Sequence, residues 1–278
     1  MGEASTATER FATAVARGPD LDLAEVALLI ALEEYPTLAI PAYIEKLDDM
    51  GLAARDRIRQ DAPFEDRLDS LNAYLFDALG FKGNEEDYYD PRNSFLNEVI
   101  DRRLGLPITL SLVYLEVARR VGVSAHGIGL PGHFIVGVGD GPGRILVDPY
   151  HGGRRLTPEE CARIVAGVGG DAVPLREEQL APVGKPQFLY RMLSNLKFAY
   201  LQGEASDKAL RVIDKMRVLE PASWVDVRDR GIVLHRLGRD PDARRELRRY
   251  LANVPDAEDR SAVEATLAEI DTILRMYR

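Results

Sequence analysis

Apolar residues recur at helical spacing from about Ala4 to Phe81. LAEVALLIALEEYP stops before Pro36, IPAYIEKLDDMGLAARDRIRQ restarts around Pro41, and FEDRLDSLNAYLFDALGF continues the same habit. An acidic, tyrosine-rich link, NEEDYYDPRN, leads out of this helical part. Another helix is predicted to begin near Pro107, whose missing amide donor is harmless in a first turn. It runs through ITLSLVYLEVARRVG to a stop at Gly122. Being apolar on most of its circumference, it should be buried.

The periodicity then changes. SAHGIGL, HFIVGVG and RILVDPY read as three short strands, with GDGPG as the hairpin turn between the last two. This glycine-rich stretch opens no helix and serves as a turn, not a nucleotide loop. A helix follows in LTPEECARIVAG, where Thr157 caps, Pro158 takes the first position and Glu160 completes the capping box.

From about Gln187 the pattern is helical again and repeats. Ala209 and Ala243, Pro221 and Pro255, and Tyr200 and Leu234 are each 34 residues apart, the period of tetratricopeptide helix pairs. Two such units cannot bury their apolar faces alone, so they should dock on the central region or on SAVEATLAEIDTILRMY as a capping helix. The expected organisation is a helical N-terminal part over 1–84, a core of one helix and antiparallel strands over 85–184, and helical repeats over 185–278. The fold class is therefore α+β.

Composition narrows the function. The chain has 36 basic and 45 acidic residues and a formal charge of −9, which argues against a nucleic-acid partner. The run Arg244, Arg245, Arg248 and Arg249 reads as a solvated helix face. No apolar run is long enough for a membrane span and the N-terminus has no long apolar stretch, so a cytoplasmic protein is expected. The single cysteine, Cys161, falls inside a helix and is expected to be buried and structural.

The candidate chemistry lies between Asn93 and Gly153. His133 and Asp148 fall on adjacent strands, where a carboxylate can fix the tautomer and orientation of an imidazole. That holds only if the hairpin register puts both on one face. Thr109 and Ser111 are the hydroxyls nearest the start of the helix at Pro107, and Thr109 is the candidate nucleophile. Asn93, Glu98, Arg103 and Pro107 are candidates for lining a cleft that faces His133. His126 and His151 flank the pair, but the spacing of His126, His133, Asp148 and His151 matches no standard ligand pattern. Neither a metal nor a cofactor is expected.

Asn93-Ser94, Asp101-Arg102-Arg103, Gly105-Leu106-Pro107-Ile108, Pro131-Gly132-His133-Phe134, Asp148-Pro149 and Gly152-Gly153 together resemble the SirB-type transglutaminase-like family. The resemblance implies a papain-like, transglutaminase-type core with tetratricopeptide-like repeats behind it. It also implies a reactive cysteine at the start of the central helix, followed by His and Asp on strands. His133 and Asp148 take the last two places, whereas the cysteine place falls near Pro107 or Ile108, neither of which can attack a carbonyl. A pseudoenzyme is expected, which binds a protein or peptide through its cleft and repeats. The alternative is an unorthodox hydrolase or acyltransferase acting on amides or esters through His133 and Asp148.

Overall fold

The computed structural model describes residues 6–59, 61–169 and 175–276; the start of the chain, including Ala4, and Tyr277 lie outside them. The helices are α1 (Ala7–Val15), α2 (Leu23–Ala31), α3 (Ile40–Arg57), α4 (Phe64–Asn72), α5 (Leu96–Arg102), α6 (Pro107–Arg120), α7 (Pro158–Gly169), α8 (Lys185–Gln202), α9 (Ser206–Leu219), α10 (Trp224–Arg236), α11 (Asp240–Asn253) and α12 (Arg260–Met276). The strands are β1 (Lys82–Gly83), β2 (Leu104–Gly105), β3 (Ala125–Leu130), β4 (His133–Val138), β5 (Ile145–Asp148) and β6 (Arg154–Leu156). The α+β class read from the sequence is the class observed, with a small antiparallel sheet among many helices.

The chain divides into two compact units. One comprises residues 17–192, and the other joins residues 1–16 to 193–278. The first unit holds the sheet, in the order β3-β4-β5-β6 with every pair antiparallel, and the short parallel pair β1-β2. Pro107 opens α6 and Gly122, at φ +72°, follows its end. All but a few side chains of α6 are buried. Its Tyr114 hydroxyl donates to Asn72 Oδ1 (3.0 Å), and Asn72 Nδ2 donates to the Gly153 carbonyl (3.0 Å). The π-helical turn Ala73–Ala78 continues α4 and sets Phe76 parallel to the Tyr114 ring, with centroids 6.1 Å apart.

One face of the sheet contributes Ile128, Leu130, Ile135, Leu146 and Leu156 to a buried cluster with Cys161 and Val165 of α7. The capping box at Thr157 and Glu160 forms as the sequence predicts, in both directions (3.2 and 2.9 Å). Two pairings escape sequence reading. β6 has only three residues, and β1 and β2 have two each, too short for an alternating pattern.

In the second unit the 34-residue period is the helix-pair repeat. Tyr200 and Leu234 sit on α8 and α10, Ala209 and Ala243 on α9 and α11, and Pro221 and Pro255 follow α9 and α11. All four of the non-proline residues are buried, because these positions carry the inter-helix contacts. The stretch predicted to cap the repeats forms α12, which packs against α11. The N-terminal helix differs from its predicted grouping with the helices that follow. Phe11 and Ala14 form a buried stripe on α1, which packs against α9 and gives the repeats a third apolar neighbour. The arginine run of α11 is neutralised locally: Arg244 and Arg248 pair with Asp271, Arg245 with Asp242, and Arg249 lies over the Trp224 ring.

Close packing of α10 on α11 depends on Gly231, where a Cβ would stand 2.6 Å from Leu247 Cδ2 and 3.3 Å from the Leu247 amide nitrogen. Gly231→Val should therefore destabilise the repeat unit by about 1–3 kcal/mol despite the higher helix propensity of valine. Thermal unfolding of the variant beside the wild type measures this, and an unchanged midpoint would contradict the packing.

Candidate functional site

The β4–β5 register decides whether His133 and Asp148 can meet. Val136 pairs with Val147 and Val138 with Ile145. Extending the ladder by one places Asp148 opposite Ile135, so His133, two residues earlier, shares its face. The two side chains are in contact: His133 Nε2 donates to Asp148 Oδ2 at 2.9 Å. The turn Pro149–His151 then brings a second imidazole to the same oxygen, with His151 Nδ1 at 2.7 Å. The other oxygen, Oδ1, accepts the Tyr150 backbone N–H at 3.0 Å.

Burial is uneven across this cluster. The Asp148 side chain is 2% exposed and that of His133 9%, whereas His151 is 51% exposed. Burial pushes the Asp148 carboxyl upward, but the hydrogen bonds and charges of His133 and then His151 outweigh it, and the net direction is downward. The Tyr150 ring stands edge-on to His133 and His151, with centroids 6.1 and 5.0 Å away. Burial pushes its hydroxyl up to about 12. Gly83 makes room for this ring, which lies 2.5 Å from where a Cβ would stand. Tyr88 packs on Tyr150, Tyr89 packs on Tyr88, and this aromatic train ends at the surface with Tyr89 59% exposed.

Asn93 holds the link that carries those tyrosines. It is wholly buried, accepts from Asn84 Nδ2 (3.0 Å), and donates to the carbonyls of Asp87 (2.7 Å) and Tyr88 (3.2 Å). Asn84 in turn accepts the Asp87 N–H at 3.2 Å. The Asn93 carbonyl takes the Thr109 hydroxyl (2.8 Å), and Thr109 Oγ1 accepts the Leu106 N–H (2.9 Å). Link and helix start are thus one network.

Thr109 is therefore fully buried with its hydroxyl committed to backbone partners. Ser111, also buried, donates back to the Pro107 carbonyl at 2.7 Å. Pro107 is buried in the first turn of α6. The structure does not bring Glu98 and Arg103 to His133. Tyr35 hydrogen-bonds Glu98 on another side of α5. Arg103 follows α5 in a left-handed conformation (φ 62°), which turns its guanidinium over Phe81, 4.7 Å from the ring centroid. His126 also lies apart, with Arg144 and Asp140 as its charged neighbours. Two cavities, of about 750 Å³ beside Asp22, Glu116 and Arg119 and about 420 Å³ beside Lys46, Tyr74 and Arg103, include neither His133 nor Asp148.

The order of a central helix, a strand with His and a strand with Asp, ahead of 34-residue helix pairs, defines a transglutaminase-like core with a tetratricopeptide tail. Residues 41–194 match the transglutaminase-like superfamily, and residues 196–268 match the tetratricopeptide repeat. A UPF0162 protein of Xylella fastidiosa is 36% identical over 253 residues, covering 90% of each chain. Another from Vibrio cholerae is 28% identical over 172 residues, 62% of this chain and 63% of that one. F-box only protein 21 of Mus musculus is 38% identical over 106 residues, 35% of this chain but 17% of that protein. No solved structure matches. The chain belongs to the UPF0162 proteins, a SirB-like family within the transglutaminase-like superfamily. Among the described residues, no helix is long and apolar enough to cross a membrane.

The Asn93 network and the lone thiol each yield a test. Asn93→Ala strands Asn84 and two carbonyls in a buried setting, and should lower stability by about 1–3 kcal/mol. Amide exchange across 84–93 should rise with it; unchanged protection there would show that other contacts hold the link. Burial, then the charges of Asp148 and Glu160, push the Cys161 thiol up to about 11. At pH 8 its alkylation should run roughly two orders of magnitude slower in the native chain than in denaturant. Equal rates would make the thiol accessible.

Proposed function

We propose that this chain is a non-catalytic protein-binding module, in which a transglutaminase-like core and its repeat tail both offer contact surfaces. The observation that carries the reading is the closed start of α6. By resemblance to transglutaminase-like proteins the nucleophile's place falls near Pro107 or Ile108, and the hydroxyls of Thr109 and Ser111 are buried and bonded to backbone groups. Thr109 could become a nucleophile only by breaking two or more of these bonds, against a general base that is itself nearly sealed.

Contact surfaces are supported separately. Tetratricopeptide repeats generally mediate protein–protein interaction, and residues 196–268 match that repeat. In the core, the exposed Tyr88 and Tyr89 connect through Tyr150 to the half-exposed His151, and surface aromatics of this kind anchor protein partners. The residues expected to line the peptide cleft, Asn93, Glu98, Arg103 and Pro107, act from behind this surface or away from it. The binding face is accordingly reassigned to Tyr88, Tyr89 and His151.

The hydrolase or acyltransferase reading retains one supporting fact, the 2.9 Å contact between His133 and Asp148. A panel of peptide amides and esters, incubated with the wild type and His133→Ala, separates the two. Equal background turnover is expected from both, together with selection of peptides from a displayed library whose affinity falls at least about tenfold, or about 1.4 kcal/mol, in Tyr89→Ala. Wild-type turnover that His133→Ala abolishes would establish the enzyme instead.

A further inference from the structure

We propose that His133, Asp148 and His151 form a binding site for a divalent first-row transition ion of the Zn²⁺ type. One nitrogen from each imidazole and one oxygen of the carboxylate lie within 4.8 Å of one another. Both nitrogens converge on a single oxygen, Asp148 Oδ2, at 2.9 and 2.7 Å. Two histidines and a carboxylate form a donor set suited to borderline divalent ions, leaving positions open for water or a further ligand.

The environment of Asp148 supplies an independent argument. Its side chain is almost wholly buried, and among the described residues its ion-pair partners are these two histidines, with no lysine or arginine. A buried carboxylate that lacks a fixed positive partner is commonly held by a cation. The surrounding contacts suit that role. Oδ1 is fixed by the Tyr150 N–H, as an orienting contact behind a metal ligand should be, and Tyr150 closes one side as an apolar wall. Half-exposed His151 supplies the route of entry.

Ligands about 2.1 Å from a tetrahedral ion lie about 3.4 Å apart. The carboxylate oxygen must then separate from the two nitrogens by about 0.5 and 0.7 Å, and the nitrogens, which lie within 4.8 Å of one another, must close to the same spacing, a movement the partly exposed His151 ring can supply. Each imidazole coordinates through the nitrogen that now donates to Asp148, once the proton there has passed to its other ring nitrogen or to solvent. Sequence spacing hid this group because strand pairing and a turn, not a helical i, i+4 relation, bring its members together.

The proposal does not depend on the protein-binding reading, and its readout is metal affinity alone. Untagged full chain, first stripped with chelator, is titrated with Zn²⁺ by calorimetry and with Co²⁺ by visible absorption. One equivalent of tight binding and a tetrahedral-type Co²⁺ spectrum are expected. His151→Ala, a substitution at a half-exposed position, should weaken Zn²⁺ binding more than about tenfold, since even outer-shell losses at metal sites reach that size. His126→Ala should bind as the wild type does. Equal affinity in the wild type and His151→Ala, or loss of binding in His126→Ala alone, would overturn the assignment.

Discussion

A single carboxylate ties the site together. Asp148 ends β5, and its two oxygens take the Tyr150 N–H and the imidazoles of His133 and His151, so strand β4, strand β5 and the turn Pro149–His151 are fixed to one another. A charge so buried is tolerated only when its lone pairs are occupied. Moving β4 by one residue would turn His133 to the other face of the sheet and leave that charge unsupported. The register of the hairpin and the protonation state of Asp148 are therefore one constraint.

A second network does for the link and α6 what Asp148 does for the sheet. Asn93 has a carbonyl, an amide and a backbone oxygen, and each is used: toward Asn84, toward Asp87 and Tyr88, and toward Thr109. Its side chain replaces the backbone ladder that the irregular link cannot form for itself. Because Thr109 joins Asn93 to the Leu106 N–H, the start of α6 and the position of Tyr88 are set together. Tyr88 reaches Tyr150, and Tyr150 reaches both histidines. The two networks thus meet at an aromatic ring.

Much of this was legible in the sequence where one physical rule dominated. Helix α6 was readable from Pro107 and Gly122, the repeats from matched Ala and Pro positions, and the adjacency of the His133 and Asp148 strands from their spacing, whereas the register that brings the two side chains together was not. The losses have equally local reasons. Helical spacing could not say which face of α5 looks inward, and Arg103 leaves the helix in a left-handed conformation that carries it to Phe81. Thr109 was legible as a hydroxyl near the helix start, but its burial depends on Asn93, sixteen residues away. The role of His151 depends on a turn that no periodicity reports, and the grouping of α1 on the stripe of Phe11 and Ala14 finding α9.

The two halves of a Cys–His–Asp arrangement have separated in this chain. In such an arrangement the helix N-terminus lends its dipole to a thiolate, which is why the nucleophile belongs there. Here that end is spent internally: Pro107 brings no N–H, and Thr109 takes the Leu106 N–H and donates to Asn93. A helix end satisfied in this way stabilises the fold and offers little to a substrate. The imidazole–carboxylate half keeps its polarity and, through His151, its access to solvent. The sheet and the turn after β5 therefore hold the remaining polar groups of that arrangement, with α6 as their support.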